Sequence, residues 1–251
     1  MKSLNQYIQE KLVIIENKNG YNYFPKTKEE LQKLIEQRIK EEGNEVDLND
    51  IDVSKITDMS HLFEYIKNFN GDISRWDVSN VTNMRNMFRG CINFNQDISG
   101  WNVSNVTDMS YIFTGSKNFN QNISSWDVSN VTNMAYMFSE CREFNQDISG
   151  WDVSKVDNMA HMFHECKKFV QNISNWNVSN VTNMKFMFYN CEKFNKDISN
   201  WDVSNVIDMS KMFAWCEKFN KDISNWNVSN VVYMEKIFYK CPIKDEYKPK
   251  F

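Results

Sequence analysis

Glycine is scarce in this 251-residue chain, at seven residues, which leaves little material for a glycine-rich phosphate-binding loop. Histidine is scarcer still, at three, and no C-x-x-C pair occurs, so the usual spacing of a zinc site is missing. The N-terminus carries only a four-residue apolar run, Leu12 to Ile15, too short for a signal-peptide core or a membrane span. Neither sign of charge is in large excess. A net charge of −4 and a pI near 5.5 give no general attraction to phosphate backbones or anionic lipid. Nucleic acid is therefore not the default partner, membrane insertion is not expected, and the sequence as it stands reads as soluble, non-exported and cytoplasmic.

What the chain has instead is a repeat. Trp76, Trp101, Trp126, Trp151, Trp176, Trp201 and Trp226 are each 25 residues apart, with Ile51 in the same place one period earlier. Eight units fill residues 51 to 250 without insertion or deletion, so every unit should follow one backbone path. Within a unit, Trp151 and Val153 alternate with Asp152 and Ser154, the period-two mark of a half-buried strand. Asn133 then precedes Met134, Met137, Phe138 and Cys141, a cap residue followed by apolar positions spaced as one stripe of a short helix. A unit this small cannot bury two faces alone, so stacking must complete the core. The Val53 to Val228, Met59 to Met234 and Phe63 to Phe238 columns are invariant from copy to copy, as a stacked interior of constant volume requires. The expected fold is an α/β solenoid, leucine-rich-repeat-like, of eight strand-plus-short-helix coils with a helical N-terminal cap. At roughly 4.8 Å per coil it would be on the order of 40 Å long.

The pattern is nearly intact in Phe144 to Met159, FNQDISGWDVSKVDNM. It resembles the BspA-type leucine-rich repeat surface proteins, in particular the repeats of mycoplasma and Listeria lipoproteins, over residues 51 to 241. The resemblance implies a leucine-rich-repeat fold and a surface or adhesive setting, reached once a leader has been removed. One departure stands out: the general pattern places Asn where Val81, Val106 and Val131 stand here. An Asn ladder would have to use another column, with Asn70, Asn95, Asn120, Asn145, Asn195 and Asn220 the candidates.

Residues 1 to 50 lack the repeat and are expected to form the cap. Thr27 and Glu30 have capping-box spacing ahead of Leu31, Leu34, Ile35 and Ile39, predicting a helix that ends near Gly43. Residues 51 to 241 form the repeat body. The last coil dissolves into a charged tail over 242 to 251, where Lys244 and Lys248 replace the Phe and Ile of the pattern.

The residues that invite a chemical role mostly lose it on inspection. Cys91, Cys141, Cys166, Cys191, Cys216 and Cys241 share one column with Ile66 and Ser116, which suits small packing residues better than disulfides or metal ligands. His161 and His164 are three apart, but they read as variable surface positions rather than a metal pair. The Asp/Asn column at 52, 77, 102, 127, 152, 177, 202 and 227 lacks calcium-repeat spacing and is expected to form side-chain ladders along an exposed strand face. A Ser/His/Asp triad would have to come from repeated positions, which argues against a unique active site. No catalytic residue, metal or cofactor is expected.

Function should lie where the copies disagree. One column reads His61, Asn86, Tyr111, Tyr136, His161, Phe186, Lys211, Lys236, and Tyr189, Trp215 and Tyr239 add aromatics nearby. Rings that the shared core does not need are enriched in protein contact surfaces. The candidate partner-binding set is therefore Tyr111, Tyr136, His161, Phe186, Tyr189, Lys211, Trp215, Lys236 and Tyr239. The expected function is a non-catalytic protein-binding repeat scaffold, acting in adhesion or host contact, as a monomer or weak oligomer. The alternative is an intracellular inhibitor or effector that blocks a host protein or nucleoprotein complex. Lysines interleaved with rings toward the C-terminus leave nucleic acid as a minor partner class.

Overall fold

The computed structural model describes residues 20–251. The Leu12 to Ile15 run and the start of the expected cap lie outside the described residues. Helix α1 runs Lys28–Glu42, with Thr27 as its N-cap accepting from the Glu30 amide at 3.3 Å, and it ends at Gly43, whose φ of 94° favours glycine. Leu31, Leu34 and Ile35 form its buried face. Lys28 Nζ donates to Asp58 Oδ2 at 3.3 Å and to Ser60 Oγ at 2.6 Å, and Arg38 reaches Asp50 Oδ1 and the Asp47 carbonyl at 2.9 Å each. These bonds tie α1 across the first repeat unit.

The units that follow are not strands and helices. Besides α1, the described residues contain one three-residue 3₁₀ turn, Asp245–Tyr247, and isolated parallel bridges that never extend into a strand. The expectation of an α/β solenoid with eight strand-plus-short-helix coils is overturned. Each unit is instead a 25-residue coil of consecutive turns stacked on its neighbours, with a single bridge per junction along Asp58, Asn83, Asp108, Asn133, Asn158, Asn183, Asp208 and Tyr233.

The physical reason is visible in the backbone bonds. Where a strand was expected, Trp76 donates back to Ile73 and Val81 to Val78, so the Trp/Val alternation lies on two turns. Where a helix was expected, two positions per coil are left-handed: Asn86 at φ 57° and Gly90 at φ 74°, and their counterparts in every other coil. A left-handed residue breaks the i to i−4 bonding of a helix, and alternate amides turn outward. Met84, Asn86, Phe88 and Gly90 donate to the carbonyls of Asp108, Ser110, Ile112 and Thr114 in the next coil, while Met87, Arg89 and Cys91 donate three residues back. Fourteen non-glycine residues adopt this conformation, each at a cost of about 1 kcal/mol. In every coil but the last, the bond that each left-handed amide makes to the next coil offsets that cost. At Gly90 an added Cβ would sit 2.7 Å from Tyr65 Cδ1, so glycine there makes room for the ring below.

Asp and Asn fix the turns. Three times in each of the first seven coils a side-chain oxygen accepts the amide two residues on: Asp77 from Ser79 at 3.0 Å, Asn83 from Arg85 at 3.0 Å, and Asp97 from Ser99 at 2.9 Å. The Asp/Asn column at 52 to 227 therefore caps turns in its own coil and does not form the expected ladder on a strand face. The hydroxyl of Ser129 holds the Asp127 carboxyl below the usual range, with the Ser129 amide adding to the effect, and Ser154 acts likewise on Asp152. Ladders between coils come from other columns. Asn70, Asn95, Asn120 and Asn145 each accept the amide 25 residues on, at 2.9–3.0 Å, and Val170 interrupts the series. Asn80 and Asn105 donate to the carbonyls of Ser54 and Ser79 at 2.9 and 2.7 Å.

The core is two stacked phenylalanine ladders flanked by tryptophan and methionine. Phe88 stands 5.3 Å from Phe63 and 5.7 Å from Phe113 along one ladder, and 4.0 Å from Phe94 across to the other. Each tryptophan of the 25-residue column also staples two coils, its indole N–H donating to a carbonyl one coil back, as Trp101 does to Ile73 at 3.2 Å. The cysteines do the same with their thiols: Cys91 donates to Phe63 O and Cys166 to Phe138 O, at 3.0 and 2.9 Å. All six are free, and burial pushes the Cys166 thiol well above its usual range. Ser116 keeps the same bond, to Phe88 O at 2.7 Å, so a small donor serves this place in seven coils, with Ile66 the exception. Replacing Cys166 with Ser should be nearly neutral in urea denaturation. Val at the same place should cost about 1 kcal/mol, because Phe138 O still accepts from the Cys141 amide.

Candidate functional site

The left-handed conformation places the variable columns. A residue at φ near 60° with its amide committed to the next coil has its side chain free of the shared core, so ring-bearing residues there stack on one another along the molecule. Tyr111 and Tyr136 lie 4.4 Å apart, Tyr136 and His161 4.1 Å, and His161 and Phe186 4.6 Å, with interplanar angles of 8–9°. Cations close both ends of this four-ring stack. Arg85 and Arg89 stand 5.1 and 5.4 Å from the Tyr111 ring centre, and Lys211 Nζ is 5.0 Å from that of Phe186.

The rings are half-buried by their neighbours in the stack rather than fully open to solvent. Burial raises the Tyr136 hydroxyl pKa, with Tyr111 contributing. Burial also drives His161 down to about 3, and His164 and Lys185 push it the same way. His164 is lowered by burial against the opposing pull of Glu165 and Glu140.

Toward the C-terminus the stack opens. Tyr189 stands at 5.4 Å from Phe186 in a tilted pair, and Trp215 meets Tyr239 edge-on at 5.9 Å. Between them lies a depression of about 270 Å³ lined by Phe186, Tyr189, Lys211, Trp215, Lys236 and Tyr239. Trp215 is 38% exposed and Tyr239 47%. All nine sequence-predicted residues therefore fall on one stripe, in two parts: a stacked ladder from Tyr111 to Phe186 and an open mouth from Phe186 to Tyr239. The predicted partner-binding set left out Arg85, Arg89, His164 and Lys240, whose Nζ sits 3.8 Å over Trp215. Their signal was position, since each lies one coil or less from a ring in an adjoining variable column.

Among the described residues no group of three His, Cys, Asp or Glu side chains could hold a metal ion, and no helix is long and apolar enough to cross a membrane. The geometry defines a repeat protein of stacked turn coils with an aromatic and basic stripe along one side. The chain belongs to the family described as "Mycoplasma protein of unknown function, DUF285", whose pattern matches residues 29–148, 101–185 and 170–246. The three matches overlap, as they can when each coil repeats the same columns. No curated protein matches the chain.

Proposed function

We propose that the protein is a non-catalytic scaffold that binds another protein through the stripe from Tyr111 to Tyr239, with the open mouth as its anchor. The observation that carries this is the change along the stripe. From Tyr111 to Phe186 the rings satisfy one another, whereas Trp215 and Tyr239 leave apolar surface uncovered beside Lys211 and Lys236. Exposed Trp and Tyr in a shallow concavity with cations at its edge is the composition of a protein hot spot. The lining holds rings and ammonium groups and no carboxylate, histidine, serine or cysteine, which suits binding better than general acid–base or covalent catalysis. The likeness of the repeats to bacterial surface proteins supports adhesion or host contact as the setting.

The test is a variant with Phe186→Ser, Tyr189→Ser and Trp215→Ser, compared with wild type in affinity capture from host and source cells. Proteins held by the wild type should be lost, with at least about 2 kcal/mol or roughly thirtyfold in affinity at stake, while the urea transition stays cooperative. Retention equal to wild type would show that another face binds.

A further inference from the structure

The bonds that join the coils have a direction. At each junction on the stripe side, four alternate amides of one coil donate to four alternate carbonyls of the next. In the last junction Met209, Lys211, Phe213 and Trp215 donate to Tyr233, Glu235, Ile237 and Tyr239, at 2.8–3.0 Å. The final coil has Met234, Lys236, Phe238 and Lys240 in the donor places, and among the described residues none of these four amides meets an acceptor. Their presentation is intact. Lys236 and Lys240 are left-handed, both at φ 54°, and alternation of right- and left-handed residues is the arrangement in which backbone amides converge on an anionic or carbonyl oxygen.

The side chains along this edge have lost their cover as well. Met234 is 50% exposed where Met209, one coil earlier, is 1%. Val232 and Tyr233 beside it are 65% and 60% exposed. The other half of the coil is closed: Ile243 is buried, and the Tyr247 carbonyl accepts the Ile223 amide at 3.0 Å. The stack therefore presents one open half-edge, polar in its backbone and apolar at its start.

We propose that this half-edge docks an extended acidic segment of a partner protein, whose alternate carbonyls take the four amides as a further coil would. Hydrogen-bond direction excludes the simplest competitor. A second copy meeting this edge with its own would set donor against donor. The far end of the stack is roofed by α1, which Lys28 ties to Asp58 and Ser60. Charge selects an acidic segment. The aligned stripe-side bonds leave their positive pole at the last coil, as at the N-terminus of a helix. Lys236 and Lys240 belong to that coil, and the nearby Glu235 is paired with Lys236 at 3.4 Å. A peptide fits better than a nucleic-acid strand, because amides on every second residue match alternate carbonyls and Val232, Tyr233 and Met234 call for apolar side chains.

The site rests on backbone amides and not on the rings of the stripe, so the two can fail separately. The probe is an alternating glutamate–valine peptide about eight residues long, with an alternating lysine–valine peptide and an oligothymidylate as comparators. The readout is amide hydrogen exchange by NMR on the full chain. In the free protein the amides of Met234, Lys236, Phe238 and Lys240 should exchange rapidly, and those of Met209, Lys211, Phe213 and Trp215 slowly. The acidic peptide should slow the first set at least tenfold, and Lys236→Glu with Lys240→Glu should weaken its binding at least tenfold. The Phe186→Ser, Tyr189→Ser, Trp215→Ser variant should leave that protection in place. Protection by the lysine peptide or the oligonucleotide to the same degree, self-association that protects the edge, or peptide binding without protection would each overturn the proposal.

Discussion

Phe138→Ala should lower stability by about 3–5 kcal/mol, while Phe238→Ala, in the same column, should cost no more than about 1–2 kcal/mol. Phe138 is fully buried, with Phe113 and Phe163 each 5.9 Å away along its ladder, Phe144 at 4.0 Å across, and Trp151 at 6.2 Å. Truncation leaves a hole bounded by four rings that are themselves held by neighbours above and below, so collapse is resisted. Phe238 has a coil on one side only, with Phe213 at 5.8 Å and the Lys248 ammonium 5.8 Å from its ring. In a stack each coil contacts only its neighbours, so a central defect also uncouples two halves. Urea denaturation followed by tryptophan fluorescence should show a broadened or split transition for Phe138→Ala and a single shifted one for Phe238→Ala. Equal losses at the two sites would mean that stability is not transmitted coil to coil.

The period was legible in the sequence; the local conformation was not. A stack of identical coils follows from seven tryptophans at one spacing, and α1 follows from Thr27, Glu30 and Gly43, because capping chemistry is local. The helix assigned to Met134, Met137, Phe138 and Cys141 failed because apolar spacings of three, one and three also arise from successive turns that point the same residues inward. Periodicity reports which side chains are buried and is silent on where the amides go. A signal did exist: Asn86 and Gly90 fall four residues apart in variable columns, and both residue types favour left-handed backbone over helix interiors. The Asp/Asn columns were misassigned for a related reason. A carboxylate that caps the amide two residues on and one that bonds a neighbouring coil leave the same trace in a repeat. The aromatic stripe was found by comparing copies, but its half-buried stacking was not, since ring-on-ring packing depends on the distance between coils.

The stripe also makes stability depend on pH through its two histidines. In the unfolded chain each imidazole takes up a proton near its ordinary pKa of about 6.5. In the folded chain burial between Tyr136 and Phe186 lowers His161 to about 3, with His164 and Lys185 adding to the effect. His164, stacked on Tyr189 at 5.0 Å, is lowered by burial as well, although Glu165 and Glu140 oppose the shift. Between pH 6.5 and 3 the unfolded state therefore binds more protons than the folded one, and stability falls as the pH falls. The contribution is fully present above pH 6.5 and should be reduced on the order of 2 kcal/mol by pH 4, allowing for partial solvent screening at His161. The next coil supplies the control, because Phe186 and Tyr189 occupy the places of His161 and His164 one period on. The variant His161→Phe with His164→Tyr should keep the stack and lose this part of the pH dependence, leaving only the acid titration of the turn-capping aspartates. Urea midpoints at pH 7, 5.5 and 4 separate the two cases, and parallel losses in wild type and variant would show that the histidines are protonated in the folded chain.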